Sequence, residues 1–392
     1  MESVKELSKA QILIMAITAG ICVANIYYCQ PILHEIGSSL GISGDDVGII
    51  APLSQAGYGL GLLFITPLGD KIERKRLILF LQILLIGALI AMSFSQGIIS
   101  LYMSSLSIGL FAVTAQVILP MAASLVSQNR GKVVGIIFTG ILVGILTARV
   151  FSGFITEWIG WQYVYRISAG MVAITAIMMQ SDFPSVKERF EGSYPQLLSS
   201  VLYQLKRFST LRLAALLGAL VFGTLSSFWV TLTFYLSGEP FNYKADTIGL
   251  FGLLAAGGAL LAPMVGKLSD KSDSPKKALL ISLNFVLLSI VLLYFFPVSL
   301  IVLLLAVLLI DIGVQAIQIT NIALIYTLDS SANSRINTVY MTSYFIGGAL
   351  GAFTGITAWK HGGWNLVLLQ MGIFTVLAII VAFCIRKNNP KP

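Results

Sequence analysis

Long apolar segments recur along the whole chain and constrain its fold more than any other feature. A helix needs about 20 mostly apolar residues to cross the hydrocarbon core of a bilayer, and the chain contains twelve such segments. They cover residues 10–33, 46–68, 77–95, 99–126, 133–156, 163–181, 211–237, 246–268, 278–296, 298–328, 337–359 and 364–385. The sequence therefore predicts an all-α membrane protein with twelve transmembrane helices, numbered here as spans one to twelve.

The composition excludes a large soluble protein. Only 11% of the residues are charged and 57% are hydrophobic, with a mean hydropathy of +0.89. A soluble domain carries about 25% charged residues, so this chain has too few charges to cover a surface that faces water. Its short polar N-terminus leads into an apolar run without a small-residue cleavage site, which predicts a retained span and not a signal peptide.

The distribution of Lys and Arg predicts the orientation of the spans. These residues collect in cytoplasmic loops, and with a cytoplasmic N-terminus 21 of the 25 lie inside. Only Arg166, Lys244 and Lys360 then lie outside, and Arg149 lies within span five. We expect both termini to be cytoplasmic. The net charge of +8 then reflects membrane orientation, and we expect no binding to nucleic acid.

A polar stretch in the middle divides the chain into two similar halves. We assign residues 1–181 to an N-terminal six-helix half, 182–210 to a cytoplasmic linker and 211–392 to a C-terminal six-helix half. With one gap, DVGIIAPLSQAGYGLGLLFITPLGDKIERKR at 46–76 aligns with TIGLFGLLAAGGALLAPMVGKLSDKSDSPKK at 247–277. Substrate sites of transporters built from such repeats lie near the midplane between the halves.

Small residues at every fourth position form a second, weaker match between the halves. They are Gly144, Ala148 and Ser152 in span five and Gly347, Gly351 and Gly355 in span eleven. Such residues let helices approach closely in a membrane. We prefer this packing role over direct contact with a ligand.

A loop motif after span two carries a resemblance to a known family. The segment TPLGDKIERK at 66–75 has its Asp and cations at the positions of the loop motif of the major facilitator superfamily, and GKLSDK at 266–271 is a second copy. Together with the six-plus-six arrangement, the chain resembles this superfamily over essentially its full length. The resemblance implies a multi-pass plasma-membrane transporter, in a bacterium one of the inner membrane, and it implies a cytoplasmic gating motif, which comprises Asp70, Lys71, Arg74, Asp270 and Lys271.

Within the superfamily the chain looks similar to the drug/proton antiporter branch, especially its sugar and nucleoside efflux relatives. The segments ANIYYCQPIL, GILVGILTARVFSG and RINTVYMTSYFIGGALGAFTG carry this similarity. Two positions depart from it. Ser105 stands where the branch often has an arginine four residues before a glycine, and span five lacks a Gly-Pro pair.

Two ionised side chains lie deep within the predicted spans, Asp311 in span ten and Arg149 in span five. A charge at the bilayer centre costs at least about 2.5–3.5 kcal/mol on insertion scales, so both should face a cavity or a partner. We expect Asp311 to carry a proton or contact substrate, and Arg149 to bind an anion or pair with a carboxyl group. The alternative for Asp311 is a fixed role in packing. A direct pair between the two is open.

Other polar and aromatic side chains within the spans are candidates for the wall of a central cavity. Gln315 and Gln318 continue the helix face of Asp311 at i+4 and i+7, and Tyr28, Trp229 and Tyr344 could stack on a planar ligand. For the aromatic residues packing is the competing interpretation. The full set is Asn25, Tyr28, Gln55, Gln116, Ser226, Trp229, Gln315, Gln318, Asn321, Tyr340 and Tyr344.

These features predict a monomeric secondary transporter that moves a small organic molecule by alternating access, with protons as the coupling ion and efflux as the direction. Uptake by proton symport is the first alternative. A channel is disfavoured by the repeat, and an intramembrane enzyme by the absence of metalloprotease, serine-hydrolase and Walker motifs. The three cysteines lack the spacing of a disulfide scaffold or a zinc site, and we expect neither metal nor cofactor.

Overall fold

The computed structural model describes residues 7–126, 130–183, 192–255, 257, 275–329 and 332–385. Throughout this part of the chain the regular structure is helical, without strands. Fifteen helices are labelled here in chain order. They are α1 (Lys9–Ala24), α2 (Leu33–Leu40), α3 (Gly44–Gly48), α4 (Ile50–Phe64), α5 (Arg74–Ser93), α6 (Ile98–Phe111), α7 (Thr114–Leu125), α8 (Arg130–Ile159), α9 (Trp161–Asp182), α10 (Tyr194–Arg207), α11 (Ser209–Ser237), α12 (Ala245–Ala255), α13 (Pro275–Phe295), α14 (Leu300–Tyr326) and α15 (Asn333–Cys384).

Eight helical segments among the described residues are long and apolar enough to cross a membrane, and α1 and α12 are shorter apolar helices. The long helix α15 contains two residues with non-helical backbone, Gly362 and Gly363. Gly363 has a φ of 58°, which glycine adopts without a steric penalty. The pair lies where the connection between spans eleven and twelve is predicted. The protein is thus a multi-pass membrane protein, and the number twelve stays a prediction.

Span one, predicted as one helix over 10–33, is interrupted. Helix α1 ends at Ala24, residues 25–29 form turns, and a 3-10 helix covers Gln30–Ile32. The side-chain amide of Asn25 donates to the carbonyl oxygens of Ile21 and Cys22, so it satisfies groups that lack a partner where the α-helix ends. Pro31, which has no N–H to donate, starts the next helical segment.

Span four is interrupted as well. It was predicted as one helix over 99–126, whereas α6 ends at Phe111 and α7 begins at Thr114. The hydroxyl of Thr114 donates to the carbonyl oxygen of Phe111 over 3.0 Å. A threonine hydroxyl that bonds a nearby carbonyl competes with the helical ladder and bends the helix.

The predicted linker over 182–210 contains an amphipathic helix, α10. Its buried residues Leu197, Val201 and Gln204 follow helical spacing, and its exposed face combines polar side chains with Leu202 and Tyr203. The hydroxyl of Tyr194 donates to the carbonyl oxygen of Phe64 at the end of α4 over 2.5 Å. The sequence predicts only a polar connection here, because one short stripe of buried side chains is a weak signal next to the long apolar spans around it.

The chain divides into two compact units. The first comprises Met1–Leu198 with Lys244–Gly249, and the second Ser199–Tyr243 with Leu250–Pro392. The boundary therefore cuts α10 and α12, which the assignment of 182–210 as linker and 211–392 as C-terminal half does not anticipate. The assignment by sequence stays a prediction.

Small residues bring two helix pairs into backbone contact, one pair in each unit. A Cβ atom on Gly144 of α8 would overlap the backbone of Gly20 in α1, and one on Gly351 of α15 would overlap Gly223 in α11. Gly347 and Gly355 likewise face α11. The packing role preferred for these residues fits this geometry, because only hydrogen fits between the helices.

Candidate functional site

Arg149 and Asp311 are the only Asp, Glu, Lys, Arg or His residues that are buried in the described part of the chain. Their exposed fractions are 4% and 5%. Arg149 lies in α8 of the first unit, and Asp311 lies in α14 of the second. The structure thus confirms that these two charges are deep in the protein. Their direct pairing stays a hypothesis, because they belong to different units.

The Arg149 side chain is held by the interrupted part of span one. Its Nε donates to the Oε1 of Gln30 over 2.9 Å, and its guanidinium carbon lies 5.3 Å from the centre of the Tyr27 ring. Ser152, one turn further along α8, donates its hydroxyl to the backbone oxygen of Arg149. Gln30 and Tyr27 follow the end of α1, so the interruption supplies both partners.

The polar stripe predicted on span ten is present on α14. Asp311 and Asn321 are buried, and Gln315 and Gln318 are half-buried. Over this stretch, amide and carboxyl groups occupy positions where a helix that only packed against other helices would carry aliphatic side chains. The stripe offers hydrogen-bonding groups within an otherwise apolar helix.

Two tyrosines of α15 bond to this stripe. The Tyr344 hydroxyl donates to Oε1 of Gln318 over 3.4 Å, and Asn321 donates to the Tyr340 hydroxyl over 3.4 Å and to the carbonyl oxygen of Ala214 over 3.3 Å. Four of the sequence candidates therefore form two hydrogen-bonded pairs, whose tyrosine rings lie 6.0 Å apart between their centres. All of them lie in the second unit.

The Tyr344 ring is already stacked on one side. Its centre lies 4.1 Å from that of Phe222 in α11, with an angle of 15° between the planes. A planar ligand could therefore use at most the other face of Tyr344. Sequence reasoning missed Phe222, because a phenylalanine in an apolar span gives no signal of its own.

Helix α11 contributes two more candidates, Ser226 and Trp229, which are 2% and 3% exposed. The Ser226 hydroxyl is buried without a hydrogen-bond partner among the described residues. The Trp229 ring meets Phe228 edge to face with 5.9 Å between the ring centres. Both residues lie in the same helix, three positions apart, as predicted. The Ser226 hydroxyl is a polar group that a substrate could bind.

Two of the candidates in the first unit, Asn25 and Tyr28, make packing contacts with neighbouring helices. Asn25 accepts a hydrogen bond of 2.7 Å from Ser168 of α9 and caps α1 with its amide, so packing accounts for its contacts. The Tyr28 ring lies 5.4 Å from that of Phe151 in α8. Their roles as cavity residues stay predictions.

The other two candidates in the first unit, Gln55 and Gln116, are side-chain amides that differ in whether their polar atoms have partners. The Oε1 of Gln55 in α4 is buried without a hydrogen-bond partner among the described residues, and the whole side chain is 1% exposed. Gln116 of α7 donates to the Tyr58 hydroxyl over 3.2 Å. Buried polar groups normally find partners, so Gln55 is the stronger candidate for contact with a bound molecule.

The loop after span two, which the resemblance predicts to be a gating motif, forms a network around Arg74. The guanidinium pairs with Asp70 over 2.9 Å and donates to the carbonyl oxygens of Gly69 and Pro120, each over 2.9 Å. Pro120 lies in α7, so Arg74 ties this loop to a neighbouring helix. Lys71 is half-buried beside it. Asp270 and Lys271, the second copy, lie outside the described residues.

Gln30 and Tyr27 are two further site residues that sequence reasoning missed. Both stand in the quoted segment ANIYYCQPIL, where Gln30 precedes Pro31. A glutamine inside an apolar run next to a proline was a usable signal, since the proline marks an interruption and the amide needs a partner. Nothing in the sequence indicated that Arg149 would be that partner.

Comparison with known proteins places this arrangement in context. A family model described as Major Facilitator Superfamily matches residues 15–352. The chain is 39% identical over 377 residues to the "Putative uncharacterized transporter YgaY" of Escherichia coli (strain K12), across 96% of this chain and 95% of the relative. It is 23% identical to the "Probable sugar efflux transporter" of Helicobacter acinonychis, across 95% of this chain and 92% of the relative. Its fold is similar, with a TM-score of 0.75 and 14% identity over 95% of each chain, to a bacterial homologue of the human lysosomal transporter Spinster in an inward-facing, occupied conformation.

Proposed function

The chain belongs to the Major Facilitator Superfamily, and on that premise we propose that it exports a small organic molecule in exchange for protons. It is a multi-pass membrane transporter. Its position in the inner membrane of a bacterium is part of the proposal and is supported by the bacterial sources of its relatives.

The burial of Asp311 is the observation that carries the proposal. An ionisable side chain inside a membrane span is expensive to insert and marks ion paths and proton relays. Asp311 is 5% exposed and begins the polar stripe of α14. A carboxyl group binds one proton, and its preference for the charged form depends on its surroundings. Alternating access changes those surroundings, so Asp311 can take up a proton on one side and release it on the other.

Arg149 serves the same cycle in one of two ways. Its guanidinium binds an anionic group of the substrate, or it interacts with a carboxyl group and thereby favours loss of that group's proton. The hydrogen bond from its Nε to Gln30 holds the guanidinium in place for either role. The direct Arg149–Asp311 pair belongs to this proposal as a hypothesis.

The polar groups around the stripe favour a substrate that forms many hydrogen bonds. Gln315, Gln318 and Tyr344 offer amide and hydroxyl groups, and the buried Ser226 hydroxyl of the same unit has no hydrogen-bond partner among the described residues. Such groups suit the hydroxyls of a sugar-like solute. Relatives described as probable sugar efflux transporters make sugars the first compounds to test and support efflux as the direction.

Transport into membrane vesicles of opposite orientation tests this function. A panel of labelled sugars is offered to everted vesicles with an acidic lumen and to right-side-out vesicles in acidic medium. For proton-coupled export, uptake occurs into the everted vesicles and stops when an ionophore removes the pH difference. Uptake confined to the right-side-out vesicles with an acidic exterior would mean proton symport, the first alternative, and would contradict export.

Asp311→Asn and Asp329→Asn separate the coupling role from a general effect of removing a carboxylate. Asp329 pairs with Arg207 over 2.6 Å beyond the end of α14, so it is a control outside the buried stripe. Asp311→Asn should abolish uptake driven by the pH difference while leaving exchange of labelled for unlabelled substrate, and Asp329→Asn should retain both. If Asp311→Asn keeps pH-driven uptake and its pH dependence, Asp311 is structural and the mechanism fails.

A further inference from the structure

A small polar pocket lies at the end of the first unit opposite the Asp70–Arg74 network, between the end of α2, the end of α5 and the start of α9. Its volume is about 350 Å³, and its walls contain Arg166, Phe94, Tyr163, Gln96 and Gln162, with Leu40, Ser93 and Ser95. This volume is at the lower end of the range for small-molecule sites, about 300–1,000 Å³. The charge pattern of the sequence predicts that this end faces the exterior.

Arg166 lies between two aromatic rings in this pocket. Its guanidinium carbon is 4.8 Å from the ring centre of Phe94 and 4.8 Å from that of Tyr163. The face of an aromatic ring attracts a cation placed over it. Such contacts take up no hydrogen-bond acceptor, and the N–H groups of a guanidinium donate in its plane.

The donors of Arg166 lack an acidic partner in the part of the chain that the structure describes. No carboxylate there forms an ion pair with Arg166, and its Nε is buried without a hydrogen-bond acceptor. The acid closest along the chain, Glu157, is paired with Lys244. A half-buried cation that has no acidic partner among the described residues is a place where an anionic ligand can bind.

The remaining polar groups favour an oxyanion. The side chains of Gln96 and Gln162 carry amide N–H donors at the edge of the pocket. Helix α9 begins at Trp161, with its N-terminal backbone N–H groups at the same end, and a helix N-terminus carries partial positive charge. The hydroxyls of Ser93 and Ser95 already donate to the carbonyl oxygens of Ile90 and Ala91, so the carbonyls at the end of α5 are satisfied without Arg166.

We propose that this pocket binds a phosphate group, through a fork of Arg166 N–H donors and the amides of Gln96 and Gln162. A guanidinium matches two phosphate oxygens at once, and such charge-assisted hydrogen bonds are about twice as strong as neutral ones. The ligand is either a phospholipid headgroup or free phosphate. Phe94 and Tyr163 are 67% and 43% exposed, as is typical of aromatic side chains at the membrane–water interface, which places a lipid phosphate within reach.

Thermal unfolding of the detergent-purified full-length protein tests the site. The probes are dioctanoyl phosphatidylglycerol, inorganic phosphate and, as a headgroup control, dioctanoylglycerol without phosphate. The wild-type protein should show a saturable rise in Tm with a phosphate-bearing probe and none with dioctanoylglycerol. A rise with the phospholipid alone identifies a lipid ligand, and a rise with both phosphate-bearing probes identifies phosphate as the recognised group from either source.

Arg166→Gln should weaken the apparent affinity by about tenfold or more, since a charge-assisted pair is lost. Lys360→Gln, which removes another exposed cation predicted to be external, should leave the affinity unchanged. Phe94→Leu keeps the charge and removes one stacking ring, and it should weaken binding less than Arg166→Gln does. If Arg166→Gln does not fold, the apparent affinity of Phe94→Leu is compared with that of Lys360→Gln. A weaker affinity for Phe94→Leu then supports the site. The proposal is overturned when no phosphate-bearing probe shifts the wild-type Tm, or when the folded variants at Arg166 and Phe94 bind as wild type does.

Discussion

The Nε of Arg149 donates a hydrogen bond of 2.9 Å to the side-chain oxygen of Gln30, and both residues are at most 4% exposed. This bond connects the middle of one apolar helix to the interruption of another. The interruption follows from Asn25, which caps the end of α1, and from Pro31, which starts the next segment. A buried cation is thereby fixed in orientation by an amide that an unbroken span one would place elsewhere.

Removing the acceptor should destabilise the protein. Gln30→Ala leaves a buried guanidinium short of one hydrogen bond, at a cost of about 1–3 kcal/mol or more for a charged group. Gln82→Ala is the matched comparison, because the buried Gln82 amide donates to the neutral Thr175 hydroxyl over 3.1 Å. Thermal unfolding should show the larger loss for Gln30→Ala. Equal losses would mean that the charge of Arg149 contributes nothing to this bond.

The stability of the first unit should fall as pH rises through the titration of Glu35. This residue lies in α2, beyond predicted span one, and burial raises the pKa of its carboxyl from 4.5 to about 7, with Glu157 and Asp246 adding to the shift. Since the unfolded carboxyl loses its proton first, the folded state is favoured below about pH 4.5, and this advantage is lost as pH rises to about 7.

A Tm series between pH 4.5 and 8 measures this effect, with Glu35→Gln as the variant. The wild-type Tm should decline across the window, and Glu35→Gln should decline less. Glu157→Gln should reduce the decline only in part, because burial is the larger cause of the shift. A wild-type decline that persists in full after Glu35→Gln would assign it to another group.

Replacing glycine by alanine should change thermal stability in opposite directions at a glycine that touches another helix and at one that faces open space. Gly144→Ala places a Cβ against the backbone of Gly20, whereas a Cβ on Gly170 of α9 meets no other atom within 4 Å. Overpacking costs about 1–3 kcal/mol, while alanine at an open helical position is better than glycine by about 0.8–1.0 kcal/mol. Thermal stability should therefore fall with Gly144→Ala and hold or rise with Gly170→Ala. The same sign for both would refute the close contact of α1 with α8.

The hydrogen bonds of the Arg74 guanidinium should contribute more to thermal stability than the Asp70 carboxylate does. Asp70 is 37% exposed, and exposed ion pairs contribute about 0–1 kcal/mol. Arg74→Lys loses the simultaneous bonds to Gly69 and Pro120, so it should lower the Tm more than Asp70→Asn does. Lys71→Gln is the control, as the Lys71 side chain forms no ion pair with the described residues. A larger loss with Asp70→Asn would place the stabilisation in the ion pair instead.

Long apolar segments were predictable because a bilayer imposes their length. The predicted segment 211–237 corresponds to Ser209–Ser237, and 278–296 to Pro275–Phe295. The breaks after Ala24 and Phe111 were not predicted. They depend on whether Asn25 and Thr114 bond to the backbone of their own turn, and side chains of these types also occur inside helices.

The buried charges were predictable for a similar reason. A charged residue in an apolar run is conspicuous, and both Arg149 and Asp311 are buried as expected. Their neighbours were not predictable. Gln30 is 119 residues from Arg149, and Phe222 is 122 residues from Tyr344, and no local pattern encodes such proximity.

The sequence by itself determined the class of protein and the two charges that need a partner, because these follow from hydropathy and from the cost of charge in a membrane. The tertiary structure decided which groups meet those charges, which glycines touch and where the spans break. These depend on packing between helices that are distant in the chain. The Arg166 pocket shows the same division: the sequence predicts one external arginine, and only folding places it next to the rings of Phe94 and Tyr163.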